Sequence, residues 1–254
     1  MRHLFHREGR AALASALQRY SLLAFDFDGT LAPIVPHSSD AQVPGAVAER
    51  LTRLAELRPV AVITGRSVDD VAPRLGFVPK YIVGNHGAED PDEESRVDMA
   101  VLGAFRARLA GARERLDACG IELEDKGYSI ALNYRPAPDR AAAQHCVEVL
   151  LRDLEPGLRF MISNSTANIV VAGAPDKGDA MASLVARAQA DSAIFVGDDL
   201  NDEAVFARAE PDWLTVRIGL DDPLSRADFF LDSYADVVTL LQTMLDVLAK
   251  PAAR

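Results

Sequence analysis

The chain has 254 residues, 49% of them hydrophobic and 26% charged, enough to bury the core of one large domain or two smaller ones. Its net charge of -11 argues against a nucleic-acid partner or an anionic membrane surface, since both would repel it. Cys119 and Cys146 fit neither a disulfide framework nor a zinc spacing, and no apolar run approaches the ~20 residues of a membrane helix.

MRHLFHREGR has no apolar core of signal-peptide type, so with unpaired cysteines the expected location is cytoplasmic. The opening stretch through Tyr20 is expected to be a helix whose only visible role is packing or partner contact. Leu22 to Phe25 then form a short apolar strand that ends in Asp26 and Asp28, with Gly29 and Thr30 making the turn. Side chains alternate along a strand, so the two carboxylates are expected on one side. At the carboxyl end of a parallel strand that side opens into the ligand crevice. Two like charges there need a cation or proton between them, and one Mg²⁺ meets that need. Read alone, Asp-x-Asp-Gly is also ordinary turn chemistry.

Residues 44–58 carry Val47, Leu51, Leu54 and Leu57 at helical spacing after Pro44. Strands follow at 60–64 and 80–84. The first ends in Thr64, Gly65 and Arg66, where a hydroxyl beside free backbone N–H groups can hold a phosphate oxygen. Taken alone, Thr64 reads more readily as a cap for the helix starting near Ser67. Between about Glu89 and Gly173 the pattern changes to α-β-β-α-β-β: helices near 97–118 and 139–154, strands near 121–134, 158–163 and 167–172. That is an antiparallel α+β unit inserted into a parallel one, with EDPDEES (89–95) and GAPD (173–176) as linkers. The expected boundaries are 1–89 and 174–254 for the core and 90–173 for the insert.

Lys177 opens a helical stretch over 178–190, where a cation near the positive dipole end is unfavourable by a few tenths to ~1 kcal/mol. A phosphoryl group or the Asp26 carboxylate would offset it. The strand at 193–197 leads into Asp198, Asp199 and Asp202, hard oxygen ligands suited to Mg²⁺. Apolar strands alternating with amphipathic helices predict an α/β fold, a doubly wound, mostly parallel sheet of Rossmann-like order carrying the inserted unit. Its strand ends would gather a nucleophile, an acid/base, a phosphate clamp and a metal: a set for phosphoryl transfer.

DFDGT (26–30), Thr64, Lys177 and GDDLNDE (197–203) together resemble the haloacid dehalogenase superfamily of aspartyl phosphatases, and the insert is similar to its C2-type caps. DGTLAPI (28–34), GNHGAE (84–89) and KGYSIALNYR (126–135) are most similar to trehalose-6-phosphate phosphatases. The resemblance implies Asp26 as nucleophile and Asp28 as acid/base. It implies Thr64 and Lys177 on the phosphoryl group, and Mg²⁺ on Asp26, the Asp28 carbonyl and Asp198, with Asp199 or Asp202 in support. Gly65, Arg66, Glu89, Lys126, Ser129, Asn133 and Arg135 are the expected substrate contacts. Ser129, Asn133 and Arg135 differ by even numbers and would share a strand face. The chain departs from the family's pattern where Asn133 stands for a usual histidine and where Ala172 and Ala174 stand for a glutamate and a basic residue. At least one sugar contact is therefore expected to be either missing or supplied from elsewhere, Asn164 or Asn168 being the candidates. The implied substrate is a sugar phosphate, trehalose 6-phosphate first. Sucrose, glucosylglycerol or mannosylglycerate phosphate as substrate, a hexose phosphomutase reaction, and a non-enzymatic binding or regulatory module are the alternatives. No nucleic acid or membrane is expected, and the chain is expected to be a monomer or weak homodimer.

Overall fold

A computed structural model describes residues 2–94, 98–163, 165–219 and 223–249. The chain divides into two compact units, Met1–Pro91 with Pro175–Arg254, and Asp92–Ala174. The first unit begins with β1 (Arg2–His3), α1 (Arg7–Gln18), β2 (Ser21–Phe25), α2 (Gly45–Leu57), β3 (Val60–Ile63), α3 (Val68–Val71) and β4 (Tyr81–Val83). The second contains α4 (Val101–Gly111), α5 (Arg113–Ala118), β5 (Glu122–Asp125), β6 (Ser129–Asn133), α6 (Arg140–Leu151), β7 (Leu158–Ser163) and β8 (Thr166–Val171). The chain then returns to the first unit with α7 (Lys177–Ala188), β9 (Ser192–Gly197), α8 (Glu203–Phe206), β10 (Trp213–Ile218), β11 (Phe229–Leu231) and α9 (Val237–Leu248).

The first unit is built on a seven-stranded sheet in the order β1-β11-β10-β9-β2-β3-β4, and every pair is parallel. Continuous apolar strands are the sequence form of such a sheet, because both faces are covered. Leu23 and Phe25 of β2 join Val62, Ile194 and Val196 in a core with α1, α2 and α9, to which Leu13, Leu51 and Leu241 contribute. Leu22, Ala24, Ala61 and Phe195 point the other way, onto Met181 and Leu184 of α7 and Phe206 of α8. Parallel strands aligned by these two layers bring the carboxyl ends of β2, β3 and β9 to one edge.

In the second unit a four-stranded antiparallel sheet runs β5-β6-β8-β7. Ile130 pairs with Ile169 and Leu132 with Ala167, forming one buried apolar face. Ser129, Ala131 and Asn133 alternate to the opposite face, across from Val170, Asn168 and Thr166.

Three local expectations change. The helix expected over 97–118 is two helices, broken at Ala112 (φ -100°, ψ 2°) directly after Gly111, a poor helix former. Ser95, Arg96 and Val97, at its expected start and in the expected linker, lie outside the described residues. The opening helix begins only at Arg7, because Arg2 and His3 add a parallel edge strand opposite Phe229 and Phe230. Arg135 lies beyond β6, in a turn whose backbone N–H donates to the Asn133 side chain (3.1 Å), so the shared face ends at Asn133.

Candidate active site

Asp26 is the first residue after β2, and it is 5% exposed. Its Oδ1 accepts from Lys177 Nζ at 2.7 Å. Lys177 is the first residue of α7, held there by a capping box in which the Asp176 carboxylate accepts from the Gly178 and Asp179 N–H groups. The same ammonium donates to Asp202 Oδ1 at 2.7 Å, so two of its three protons are committed to carboxylates. Those two carboxylates answer the unfavourable placement of a lysine at a helix start.

Asp198 follows β9, and one carboxylate oxygen each from Asp26, Asp198 and Asp202 lies within 4.8 Å of the others. Backbone without side chains makes the room. A Cβ on Gly29, which sits at φ +82°, would fall on the Asp198 carboxylate, and one on Gly197 on that of Asp202. Thr30 Oγ1 donates to Asp198 Oδ1 at 3.3 Å. Asp202 is fully buried, and its second oxygen accepts from the Asp199 N–H at 2.9 Å. Both Asp202 oxygens thus carry partners, leaving Asp26 and Asp198 the better placed to face an ion.

Buried Asp26 and Asp202 and half-buried Asp198 gather around one ammonium, an excess of negative charge in a poorly solvated place. Burial, reinforced by Asp202 and opposed by Lys177, pushes Asp26 up to about 7. Burial together with the Asp26 and Asp202 charges pushes Asp198 up to about 9. Burial also raises Asp202, against the pull of Lys177. The lysine moves the opposite way: burial disfavours its charge, but Asp202 and Asp26 outweigh that and hold it well above its usual range. A divalent cation would relieve this excess, and the all-oxygen donor set is of the kind Mg²⁺ takes.

The remaining candidates are placed as follows. Thr64 ends β3, 1% exposed, and its Oγ1 accepts from the Arg66 N–H at 3.2 Å. Gly65 abuts the His86 ring, which occupies the space a Cβ would need. Both oxygens of Asp28 accept from Arg66, whose Nε and Nη2 donate to them at 2.7 Å each. The Arg66 side chain, expected on substrate, is therefore committed to Asp28. Asp199, expected in support of the metal, accepts from the Leu200 N–H (2.8 Å) and Asn201 Nδ2 (3.0 Å), the caps of a short turn, and is not among the three gathered carboxylates. Glu89 Oε2 accepts from Asn85 Nδ2 (2.6 Å) and from the Val68 N–H (3.0 Å), bracing the 84–89 loop.

That loop holds three successive left-handed residues, Asn85 (φ 49°), His86 (φ 59°) and Gly87 (φ 111°). Conformations of this kind in non-glycine residues cost of order 1 kcal/mol or more and concentrate at functional sites. His86 was absent from the sequence candidates. Its only signal was its position inside GNHGAE.

In the second unit, Ser129 is buried on β6, and Lys126 lies 3.8 Å from Glu124. Asn133 Nδ2 donates to Glu122 (3.1 Å), and its Oδ1 accepts from Thr166 Oγ1 (3.4 Å). Asn168 shares that sheet face, whereas Asn164 lies outside the described residues.

Asp26 follows β2, Thr64 follows β3 and Asp198 follows β9, while buried Lys177 opens α7, the helix that precedes β9; solved structures share this fold. A haloacid dehalogenase-like hydrolase from Bacteroides thetaiotaomicron superposes with a TM-score of 0.62 at 15% identity, covering 88% of this chain and 99% of its own. The C-terminal domain of C. albicans trehalose-6-phosphate phosphatase superposes with 0.77 at 18% identity, covering 95% of this chain and 97% of its own. At these identities the likeness is one of fold. Sequence carries the matter further: residues 24–220 match the family described as trehalose-phosphatase, and the chain belongs to that family. A probable trehalose-phosphate phosphatase of Sinorhizobium fredii is 32% identical over 225 residues, covering 85% of this chain and 84% of that protein. The trehalose-phosphate phosphatase of Mycolicibacterium paratuberculosis is 29% identical over 253 residues, but the chain spans only 64% of its length.

Proposed function

We propose that this chain is a Mg²⁺-dependent phosphatase that hydrolyses trehalose 6-phosphate to trehalose and phosphate. The observation that carries the proposal is the largely buried cluster of Asp26, Lys177, Asp198 and Asp202, gathered past the carboxyl ends of β2 and β9 and at the start of α7, in a chain of the trehalose-phosphatase family. Asp26 attacks phosphorus in line, forming an aspartyl-phosphate as the bond from phosphorus to the sugar oxygen breaks. Asp28 gives that oxygen a proton, then takes one from the water that cleaves the aspartyl-phosphate and frees Asp26. Lys177 and Thr64 hold phosphoryl oxygens as charge moves among them. Asp26 and Asp198, with the Asp28 carbonyl, would hold the Mg²⁺, which neutralises the phosphoryl charge facing an anionic nucleophile. Lys126, Ser129, Asn133 and Arg135 of the inserted unit would meet sugar hydroxyls, in a monomeric or weakly dimeric cytoplasmic protein.

Ala172 and Ala174, in place of the expected glutamate and basic residue, favour a second reading in which another disaccharide or glycosyl phosphate is the substrate. Phosphate release with Mg²⁺ from a panel of sugar phosphates decides between them. Preferential turnover of trehalose 6-phosphate over glucose 6-phosphate supports the first. Equal or reversed preference removes trehalose 6-phosphate as the substrate.

A further inference from the structure

Four hydrogen bonds hold the Arg66 side chain, none of them to Asp26, Asp198 or Asp202. Its Nε and Nη2 grip both oxygens of Asp28, its Nη1 donates to Asp70 Oδ2 at 2.7 Å, and Nη2 also reaches the Ser38 carbonyl at 2.9 Å. The Phe27 ring lies 5.0 Å from the guanidinium carbon, and the side chain is 8% exposed. Asp70 is fixed in turn: its Oδ1 accepts from Arg74 Nη2 (2.7 Å) and Nε (3.1 Å), and its N–H donates to the Ser67 hydroxyl that caps α3. Arg74 closes the chain by donating from Nε to the Asp70 carbonyl.

From this geometry we infer that Asp70, acting through Arg66, is a positioning residue for Asp28. The inference rests on the acid/base role proposed for Asp28. A planar fork gripping both carboxylate oxygens fixes the plane of the group as well as its distance, which an ammonium cannot do. Asp70 sets the fork: without its charge the Nη1 end has no anionic anchor, and the guanidinium can rotate about its own stem. Because every polar edge of Arg66 named above is already used within the protein, the side chain acts on Asp28 and not on substrate. Misplacement of a proton-transfer group by about 1 Å costs on the order of a hundredfold.

The test separates a lost proton donor from a lost phosphate contact. A sugar alkoxide leaves only with a proton, whereas nitrophenolate leaves without one. We would measure kcat/KM, which reports the first phosphoryl transfer, for wild type, Asp70→Asn and Arg66→Lys with Mg²⁺. The substrates are p-nitrophenyl phosphate and the alkyl phosphate that wild type cleaves best. The inference expects the alkyl-to-aryl ratio of kcat/KM to fall about tenfold or more in both variants. Equal losses on both substrates would show that Arg66 serves the phosphoryl group or the fold, and kcat/KM unchanged on both would show that Asp28 needs no such support; either overturns it. Thermal melts identify a variant that fails to fold, and the other then carries the comparison. Wild type favouring a different sugar phosphate defeats only the trehalose reading. Wild type without phosphatase activity on any substrate defeats the function and this inference together.

Discussion

Asp26 and Asp198 are close neighbours in the cluster but do different work in the proposed reaction. Replacing Asp26 with Asn keeps its shape while removing the nucleophile, so turnover should fall to background with the melting temperature within a few degrees of wild type. Substantial residual turnover after deamidation is excluded by mass spectrometry would take Asp26 out of that role. Asp198→Ala should instead raise the Mg²⁺ concentration needed for half-maximal activity by tenfold or more (~1.4 kcal/mol in ion binding). An unshifted metal titration would remove it as a ligand. At this scale the residues that bond across the sheet edge were legible in the sequence because motif order and strand-end position specify them. Asp70 and His86 were not, because what matters about them is the rotamer of a partner and the φ of a loop, and neither leaves a spacing.

The helix α7 exists in part to aim one lysine. Its capping box of Asp176 and Asp179 satisfies the first-turn N–H groups, and Arg208 reaches both carboxylates from outside at 2.7–2.8 Å. Asp176→Ala should cost about 1 kcal/mol in chemical denaturation. Activity should fall as well, because Lys177 is the adjacent residue; a loss of stability with kcat unchanged would separate the cap from the site. Elements whose apolar residues recur at helical spacing, such as α2 with Val47, Leu51 and Leu54, could be read directly. The edge strand β1 could not: two residues have no period, and only Phe229 and Phe230 on a distant segment make them a strand. The break at Ala112 was hidden for a different reason: Gly111 directly precedes it, but Gly103 lies within α4 without breaking it.

For the whole molecule, excess carboxylate in the cluster sets a slope of stability against pH. Asp26 and Asp198 carry folded values of about 7 and about 9 against 3.8 for the free side chain, so the folded state holds extra protons between those values. The stabilisation from protonation is complete below 3.8 and disappears as pH rises through the folded values. In metal-free protein the melting temperature should therefore drop progressively from about pH 4 to about pH 9, and saturating Mg²⁺ should flatten the drop by supplying the missing positive charge. Parallel curves with and without Mg²⁺ would mean that the ion binds elsewhere. The opposite slope applies on the acid side. Asp70 and Asp125 are held below the usual carboxylate range by arginines that overcome partial burial, and their contribution is lost as pH falls through those lowered values. The parallel layering was legible because strands buried on both sides are apolar throughout. In the sequence, the insert is marked only by the change of period from parallel α/β to antiparallel α+β.

The contact between Thr30 and Asp198 joins residues 168 positions apart, with the entire antiparallel unit synthesised in between. A nascent chain that has just exposed Asp26 has no neighbour for one long side of β2 until β9 leaves the ribosome. Closing so large a loop is slow, and contacts this distant in sequence form late in folding. The cation pocket is then among the last features to mature, and an N-terminal fragment ending before Ser192 should not capture Mg²⁺ at all.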